Sequence, residues 1–210
     1  MQRATLARLL LVASIIYVIG FYFIGSAVKP GYSQISNFVS EYNATGTPWA
    51  QALTYAGFAA TTAILSALLV TALPVLKVSG ASRMGAWLLW SAPASYFLAV
   101  IAPCDVGCPL DGSNSQIAHN LLAIVAYLGM GASVFLLSLD SAFGTFQLRR
   151  GFLLVTGIAF PVVFFLMAQP DLAPWGGLLQ RLLDVAMAIS LALVLWTLAP
   201  TGRTAQQTAA

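Results

Sequence analysis

Six long apolar runs, separated by short polar segments, dominate the chain. They cover about residues 6–28, 49–76, 84–102, 116–139, 152–169 and 178–199. An α-helix needs about 20 apolar residues to cross a hydrocarbon core about 30 Å thick, and each run is close to that length. The pattern predicts an all-α polytopic membrane protein. Residues 1–203 would form one bundle of six transmembrane helices, and residues 204–210 a short polar tail.

Two of these runs contain an internal proline. Pro93 falls in the third run and Pro161 in the fifth. A proline removes one backbone hydrogen bond and bends a helix, which is tolerated where neighbouring groups satisfy the freed carbonyl. We expect a bend at each proline. A cavity opened by these bends is the less favoured alternative.

The composition does not suit a surface that faces water. Of the 210 residues, 60% are hydrophobic and 7% are charged, and the mean hydropathy is +0.88. A soluble domain has roughly a quarter of its residues charged, so most of this surface must face lipid. The isoelectric point of about 9.1 does not indicate nucleic acid, because the basic residues are scattered at the ends of the apolar runs.

The basic residues also predict the orientation of the chain. Segments rich in Lys and Arg remain in the cytoplasm. The two termini and the second and fourth loops hold seven of the nine: Arg3, Arg8, Lys77, Arg83, Arg149, Arg150 and Arg203. The opposite side holds Lys29 and Arg181. We therefore expect six spans with both termini in the cytoplasm, and nearly all acidic residues on the outer side.

The most polar interruption lies between Pro103 and Asn120. It contains both cysteines, the single histidine and two of the six acidic residues. The predicted topology brings this stretch to the same side as the first loop and the start of the sixth run. We expect a polar pocket there, lined by Glu41, Asp105, His119, Arg181 and Asp184.

Within this group, Arg181 is the candidate for binding an anion. Its planar guanidinium suits an anionic group such as a phosphate. Arg181 and Asp184 are three residues apart and share a helix face, so an ion pair that fixes the sixth helix is the structural alternative. Ser40 and Asn120 complete the expected ligand-binding set.

Candidate catalytic chemistry depends on His119. A histidine titrates near neutral pH, and Glu41, Asp105 or Asp184 beside it would form an acid–base pair. The sequence contains no G-x-S-x-G, H-E-x-x-H or Walker motif. Glu41, His119 and Asp105 are therefore the candidate catalytic residues, and the sequence does not decide between an enzyme and a binding protein.

The two cysteines, Cys104 and Cys108, are separated by three residues. On the outer side of a bacterial membrane a disulfide is the first expectation. The alternative is a metal site made of both cysteines and His119, with Asp105 or Asp111 as the fourth ligand. A single histidine is a weak signature for such a site. We expect the disulfide, with no metal and no cofactor.

Three segments of the chain resemble one protein family. They are Tyr32–Tyr42 (Y-S-Q-I-S-N-F-V-S-E-Y), Pro103–Asn120 and Leu178–Asp184. Together they resemble the bacterial integral-membrane family known as domain of unknown function 998, a six-span family that is more distantly similar to DRAM and Frag proteins. The family pattern matches Ser40, Glu41, Asp105 and His119. Because the Frag-like relatives include a lipid-anchor remodelling factor, the resemblance implies lipid chemistry by analogy.

These expectations combine into one functional hypothesis. We expect a multi-pass protein of the bacterial inner membrane whose periplasm-facing pocket binds a lipid head group or another amphiphile, with lipid modification as an extension. The expected partners are membrane lipids and not nucleic acid. The alternative is a non-catalytic accessory subunit packed against a larger membrane complex. Small-residue faces such as Ala186-x-x-x-Ser190 would allow that close contact.

Overall fold

The computed structural model describes residues 2–199, and within this range it contains helices, turns and loops but no strand. The six long helices are α1 (Gln2–Val28), α2 (Ala50–Val75), α3 (Ala81–Ile101), α4 (Asn114–Ser138), α5 (Gln147–Met167) and α6 (Gly176–Leu198). Each is part of a helical segment long and apolar enough to cross a membrane. The predicted all-α, six-helix fold is confirmed. The predicted tail at residues 204–210, together with Arg203, lies outside the described residues.

Successive helices run in opposite directions, so the loops gather at two ends of the bundle. We call the end with residues 29–49 (loop 1), 102–113 (the cysteine loop) and 168–175 the polar-loop end. Loop 1 is joined to the start of α6 by a hydrogen bond from the Leu178 amide to the Ile35 carbonyl, at 2.8 Å. At the other end, which we call the basic end, the Lys77 amide donates to the Leu198 carbonyl at 2.8 Å.

Helices α4 and α5 pack closely through two glycines. An added Cβ on Gly131 would lie 2.8 Å from the carbonyl oxygen of Gly157. That carbonyl has no helical partner four residues later, because residue 161 is a proline, which has no N–H. The two backbones can therefore approach closely, as small residues allow in membrane helices. This contact accounts for a proline inside α5.

Two helices contain an irregular turn. In α2, the segment Thr54–Ala59 forms a wider π-helical turn. In α3, the helix is interrupted at Leu89 and Trp90 before it resumes as Ser91–Ile101. Pro93 explains this interruption, since it cannot donate to the carbonyl four residues earlier, that of Leu89. Such irregular turns often mark functional regions of membrane helices.

The outer surface of the bundle is apolar along its length. Ile16, Phe23 and Val125 are each about two-thirds exposed, at 65%, 65% and 68%. Exposed tryptophans lie near both ends: Trp49 and Trp175 at the polar-loop end, and Trp87 and Trp196 towards the basic end. Tryptophan favours the boundary between lipid tails and head groups. The bundle is therefore built to sit in lipid, and the chain is a multi-pass membrane protein.

Candidate functional site

Loop 1 is fastened to α6 by the guanidinium of Arg181. Nη1 donates to three backbone carbonyl oxygens, those of Gln34, Asn37 and Gly177, at 2.9, 3.1 and 2.9 Å. Nη2 donates to the hydroxyls of Tyr32 and Tyr42, at 2.7 and 3.1 Å. The side chain therefore uses both terminal nitrogens to position loop 1.

Glu41 lies inside loop 1 and orders it from within. Its carboxylate accepts hydrogen bonds from the Asn37 side chain and the Phe38 amide, both at 2.8 Å. Glu41 and Lys29 also border a small cavity of about 170 Å³. Burial lowers the pKa of Lys29, and the nearby charge of Glu41 opposes that shift. The Lys29 ammonium donates to the Thr47 hydroxyl.

The cysteine loop is closed by the Cys104–Cys108 disulfide and by Asp105. The Asp105 carboxylate accepts from both the amide and the hydroxyl of Ser113, each at 2.8 Å. The Ser113 hydroxyl in turn accepts from the Gln116 amide at 3.2 Å and caps the start of α4. The role of Asp105 in this geometry is to hold the loop at the N-terminus of α4.

Gln116, in the first turn of α4, holds the cysteine loop through its side chain, and it was not predicted from the sequence. The side chain is fully buried. Its amide oxygen accepts from the Asp105 backbone at 2.8 Å, and its amide nitrogen donates to the Pro109 carbonyl at 2.7 Å and to Asn120 Oδ1 at 2.8 Å. The Asn120 side chain donates to the carbonyls of Pro109 and Leu110, at 3.0 and 2.9 Å. Both amides therefore bind loop backbone.

The two loops meet above a large cavity. The Thr45 amide donates to the Cys104 carbonyl at 2.9 Å, and the Ser40 hydroxyl lies 3.2 Å from Cys108 Sγ. Beneath this contact is a cavity of about 570 Å³ to which all six helices contribute. Its walls are mainly apolar and aromatic. The large side chains that line it are those of Tyr22, Phe38, Phe58, Tyr96, Ile124, Tyr127, Phe164 and Phe165.

His119 lines this cavity from α4. Its Nδ1 lies 2.8 Å from the Ala102 carbonyl oxygen. A carbonyl can only accept, so Nδ1 carries the proton and the neutral ring leaves Nε2 as an acceptor. Nε2 makes no hydrogen bond to any residue of the described range. The ring is therefore oriented by the backbone and keeps one acceptor available.

Asp184 lines the same cavity from α6. The Tyr22 hydroxyl donates to its Oδ2 at 2.6 Å, and the hydroxyls of Tyr22 and Tyr96 are 2.8 Å apart. One turn earlier, Gln180 accepts from the Val39 amide at 2.7 Å and donates to the Tyr127 hydroxyl at 3.1 Å. These tyrosines and Gln180 were not predicted from the sequence.

The predicted site residues therefore divide into two groups. The large cavity is lined by Ser40, Cys108, His119, Asn120 and Asp184. The residues that do not line it are Glu41, Asp105, Cys104 and Arg181. Members of the second group contact the loops or the start of α4. In the described part of the chain, Arg181 and Asp184 form no ion pair with each other.

The residues that could hold a metal are dispersed. Within residues 2–199, no group of three His, Cys, Asp or Glu side chains is placed to hold a metal ion. Both cysteine sulfurs are joined in the disulfide, whereas metal binding requires thiolates. The arrangement can offer the cavity a carboxylate, an imidazole nitrogen and several hydroxyls, set among aromatic side chains.

Comparison with known proteins identifies the family. No curated protein and no solved structure matches the chain. A family model with the description "Protein of unknown function (DUF998)" matches residues 11–197, which include all of loop 1, the cysteine loop and the cavity-lining residues. The resemblance seen in the three sequence segments is confirmed over most of the chain. The protein belongs to the DUF998 family.

Proposed function

We propose that the protein binds a membrane amphiphile in the cavity of about 570 Å³ beneath the two loops. The observation that carries this proposal is the composition of the cavity. Small-molecule sites are concave, mostly apolar, about 300–1,000 Å³ in volume and supplied with a few polar groups. This cavity fits each criterion, with its polar groups on His119, Gln180 and Asp184.

The shape of the site suits a molecule with two chemically different parts. Side chains from α4 and α5, such as Ala123, Ile124 and Phe165, would contact a hydrocarbon chain. The polar part would lie near His119 and Asp184. The exposed apolar surface around the bundle means that the surrounding solvent is lipid, so an amphiphile is the class of ligand present at high concentration.

The proposal places the polar-loop end on the periplasmic side of a bacterial inner membrane. Six basic residues of the described range support this orientation, because they lie at the basic end or its loops: Arg3, Arg8, Lys77, Arg83, Arg149 and Arg150. Lys and Arg are enriched on the cytoplasmic side of membrane proteins. An amphiphile would then enter the cavity from the outer leaflet.

Binding is favoured over catalysis by the placement of the candidate acid–base residues. His119 lines the cavity, whereas Glu41 and Asp105 do not, and both carboxylates already accept hydrogen bonds from loop groups. A general base must reach the proton that it removes, either directly or through one water. The carboxylate that does line the cavity together with His119 is that of Asp184, and it already accepts a hydrogen bond from Tyr22.

Filling the cavity tests the proposed function. Ala123→Trp adds a large side chain at a lining position, whereas Leu121→Trp adds the same side chain at a position that is 60% exposed on the same helix. Wild type and Leu121→Trp, purified in mild detergent, should carry a bound amphiphile detectable by native mass spectrometry. Ala123→Trp should lose most of it.

The outcomes of this experiment are distinct. The same bound molecules on all three proteins would contradict the cavity as the binding site. A stoichiometric partner protein, with no bound amphiphile on wild type, would contradict the proposal and favour the accessory-subunit alternative.

A further inference from the structure

We infer that the amphiphile carries a positively charged amine, a conclusion that rests on the proposed function and names its ligand class. The first argument is charge. Among the cavity-lining residues that the structure describes, Asp184 is acidic and none is Lys or Arg. The net charge that the protein presents inside the cavity is therefore negative.

The second argument is that Asp184 forms no ion pair within the described residues. The nearest basic residue in sequence, Arg181, directs both terminal nitrogens to loop 1 carbonyls, tyrosine hydroxyls and the Gly177 carbonyl. Asp184 instead accepts a hydrogen bond from Tyr22. Asp184 lies roughly 12 Å along α6 from Gly176, because an α-helix rises 1.5 Å per residue. A carboxylate at that depth is costly unless a positive charge compensates it.

The third argument concerns which atoms donate protons in the hydrogen bonds that join Tyr96, Tyr22 and Asp184. The single hydroxyl proton of Tyr22 goes to Asp184, so the proton between Tyr22 and Tyr96 must come from Tyr96. Asp184 Oδ1 and His119 Nε2 then remain as acceptors with no donor in the described part of the chain. An ammonium group has up to three N–H donors and no acceptor, so it is the kind of group that either atom would accept from.

The aromatic walls favour an organic cation over an inorganic one. Rings of Tyr22, Phe58, Tyr96, Tyr127 and Phe164 line the cavity. Aromatic rings attract amines and quaternary ammonium groups through their negative faces. Calcium and magnesium instead require about six or more oxygen ligands, which one carboxylate among apolar side chains does not supply. The cavity therefore suits an alkylammonium head with an apolar chain.

An amine head group takes the place of the anionic head group that was expected from the sequence. A phosphate was expected because Arg181 was expected to face the pocket. With Arg181 bound to loop 1, an anionic head group would meet Asp184 without a basic residue to offset the repulsion. Like charges in a poorly solvated cavity repel strongly.

The test compares three probes with the same chain: dodecylammonium, dodecanol and dodecanoate. The full-length protein in a neutral, non-ionic detergent is titrated with each probe, and binding is measured by native mass spectrometry. Wild type should bind dodecylammonium about tenfold or more tightly than the other two, the effect of at least one charge-assisted hydrogen bond.

Variants of Asp184 test whether this residue causes the preference for dodecylammonium. Asp184→Asn should reduce dodecylammonium binding to the level of dodecanol, whereas Asp184→Glu should retain the preference. Asp171→Asn is the matched control, since it removes an exposed carboxylate at the same end of the bundle that does not line the cavity. Its probe ranking should equal that of wild type.

Failure of this inference differs from failure of the proposed function. If all three probes bind equally and Ala123→Trp prevents binding, the cavity binds amphiphiles but does not select an amine. If Ala123→Trp leaves the binding of every probe unchanged, the proposed function itself is contradicted. The ranking on wild type needs no variant, so it decides the inference even if Asp184→Asn does not fold.

Discussion

Arg181 shows how one side chain can organise one end of a membrane protein without lining its large cavity. Its terminal nitrogens contact carbonyls and hydroxyls from loop 1, and its guanidinium lies 5.6 Å from the ring centre of Tyr22 and 5.7 Å from that of Tyr32. Burial raises the pKa of the Tyr32 hydroxyl, so this hydroxyl stays protonated and can both accept from Arg181 and donate to loop carbonyls. The arginine positions loop 1 above the cavity.

The first prediction tests that positioning role. Arg181→Lys keeps the charge but replaces a planar fork by a single ammonium with three donors. It should destabilise the protein by about 1–3 kcal/mol, the range for lost hydrogen bonds to a charged group, measured as a lower melting temperature in detergent. It should also increase proteolysis within loop 1.

Arg83→Lys is the matched control, because Arg83 is exposed at the basic end, and such changes usually stay within about 0.5 kcal/mol. If Arg181→Lys left loop 1 intact and abolished ligand binding, the ligand-contacting role expected from the sequence would be restored.

At the residue scale, the sequence identified the right end of the molecule but not the contacts. Ser40, His119, Asn120 and Asp184 were selected because they are polar and close to one end, and all four line the cavity. The fully buried Gln116 could not be found this way, since its importance comes from backbone groups of a loop whose shape the sequence does not state. The sequence signal for Gln116 is weak, because it is only an uncharged amide one turn before His119.

At the scale of elements, the contact between α4 and α5 depends on the absence of side chains. Gly131 faces the carbonyl of Gly157 that Pro161 leaves without a helical donor, and an added Cβ on Gly157 would lie 2.7 Å from the Phe135 amide nitrogen. Backbone atoms cannot move aside as side chains can. The two helices must therefore separate if either glycine is enlarged.

The second prediction follows from this close approach. Gly131→Ala should destabilise the protein by about 1–3 kcal/mol, the usual cost of overpacking, even though alanine is the better helix former. Gly20→Ala is the control, because an added Cβ at Gly20 meets no atom of the described chain within 4 Å. It should be neutral or stabilising by up to about 1 kcal/mol. Equal melting temperatures for the two variants would contradict the packing argument.

The helices themselves were predictable, while their irregularities were not. Each of the six apolar runs overlaps one observed helix. Helix α5 begins at Gln147, before the predicted start at residue 152, since the polar Arg149 and Arg150 continue the helix beyond its apolar run. The π-helical turn Thr54–Ala59 has no apolar signature, because it is a change in hydrogen-bond register and not in composition.

At the scale of the whole molecule, the third prediction concerns the orientation of the bundle in the membrane. The native cysteines are paired and do not react with maleimides, so new single cysteines report sidedness directly. In intact bacterial cells with a permeable outer membrane, Asp171→Cys should react with a membrane-impermeant maleimide. Lys77→Cys should react only after the inner membrane is opened, because the basic end is expected in the cytoplasm.

Both positions are exposed, so access through the protein does not limit the reaction. The reverse labelling pattern would place the cavity on the cytoplasmic side. The amine preference could then still hold, but the ligand would come from the inner leaflet.

The cavity could not be predicted as a unit, and the reason lies at this largest scale. Its aromatic residues are spread over α1, α2, α3, α4 and α5, with no common motif or spacing. Within an apolar run, a tyrosine that faces lipid and one that faces a cavity look alike. Tyr22, Tyr96 and Asp184 meet only because α1, α3 and α6 converge. Helix packing therefore decides which polar groups share a site.

The fastening of loop 1 to α6 has a consequence for biosynthesis. The Arg181 side chain and the Gln34 carbonyl that it binds are 147 residues apart in sequence. At about 5–20 residues per second, a ribosome needs roughly 7–30 s to make that length of chain. During this interval loop 1 has already been made but lacks its anchor on α6. The cavity beneath loop 1 is therefore completed last, when translation delivers α6.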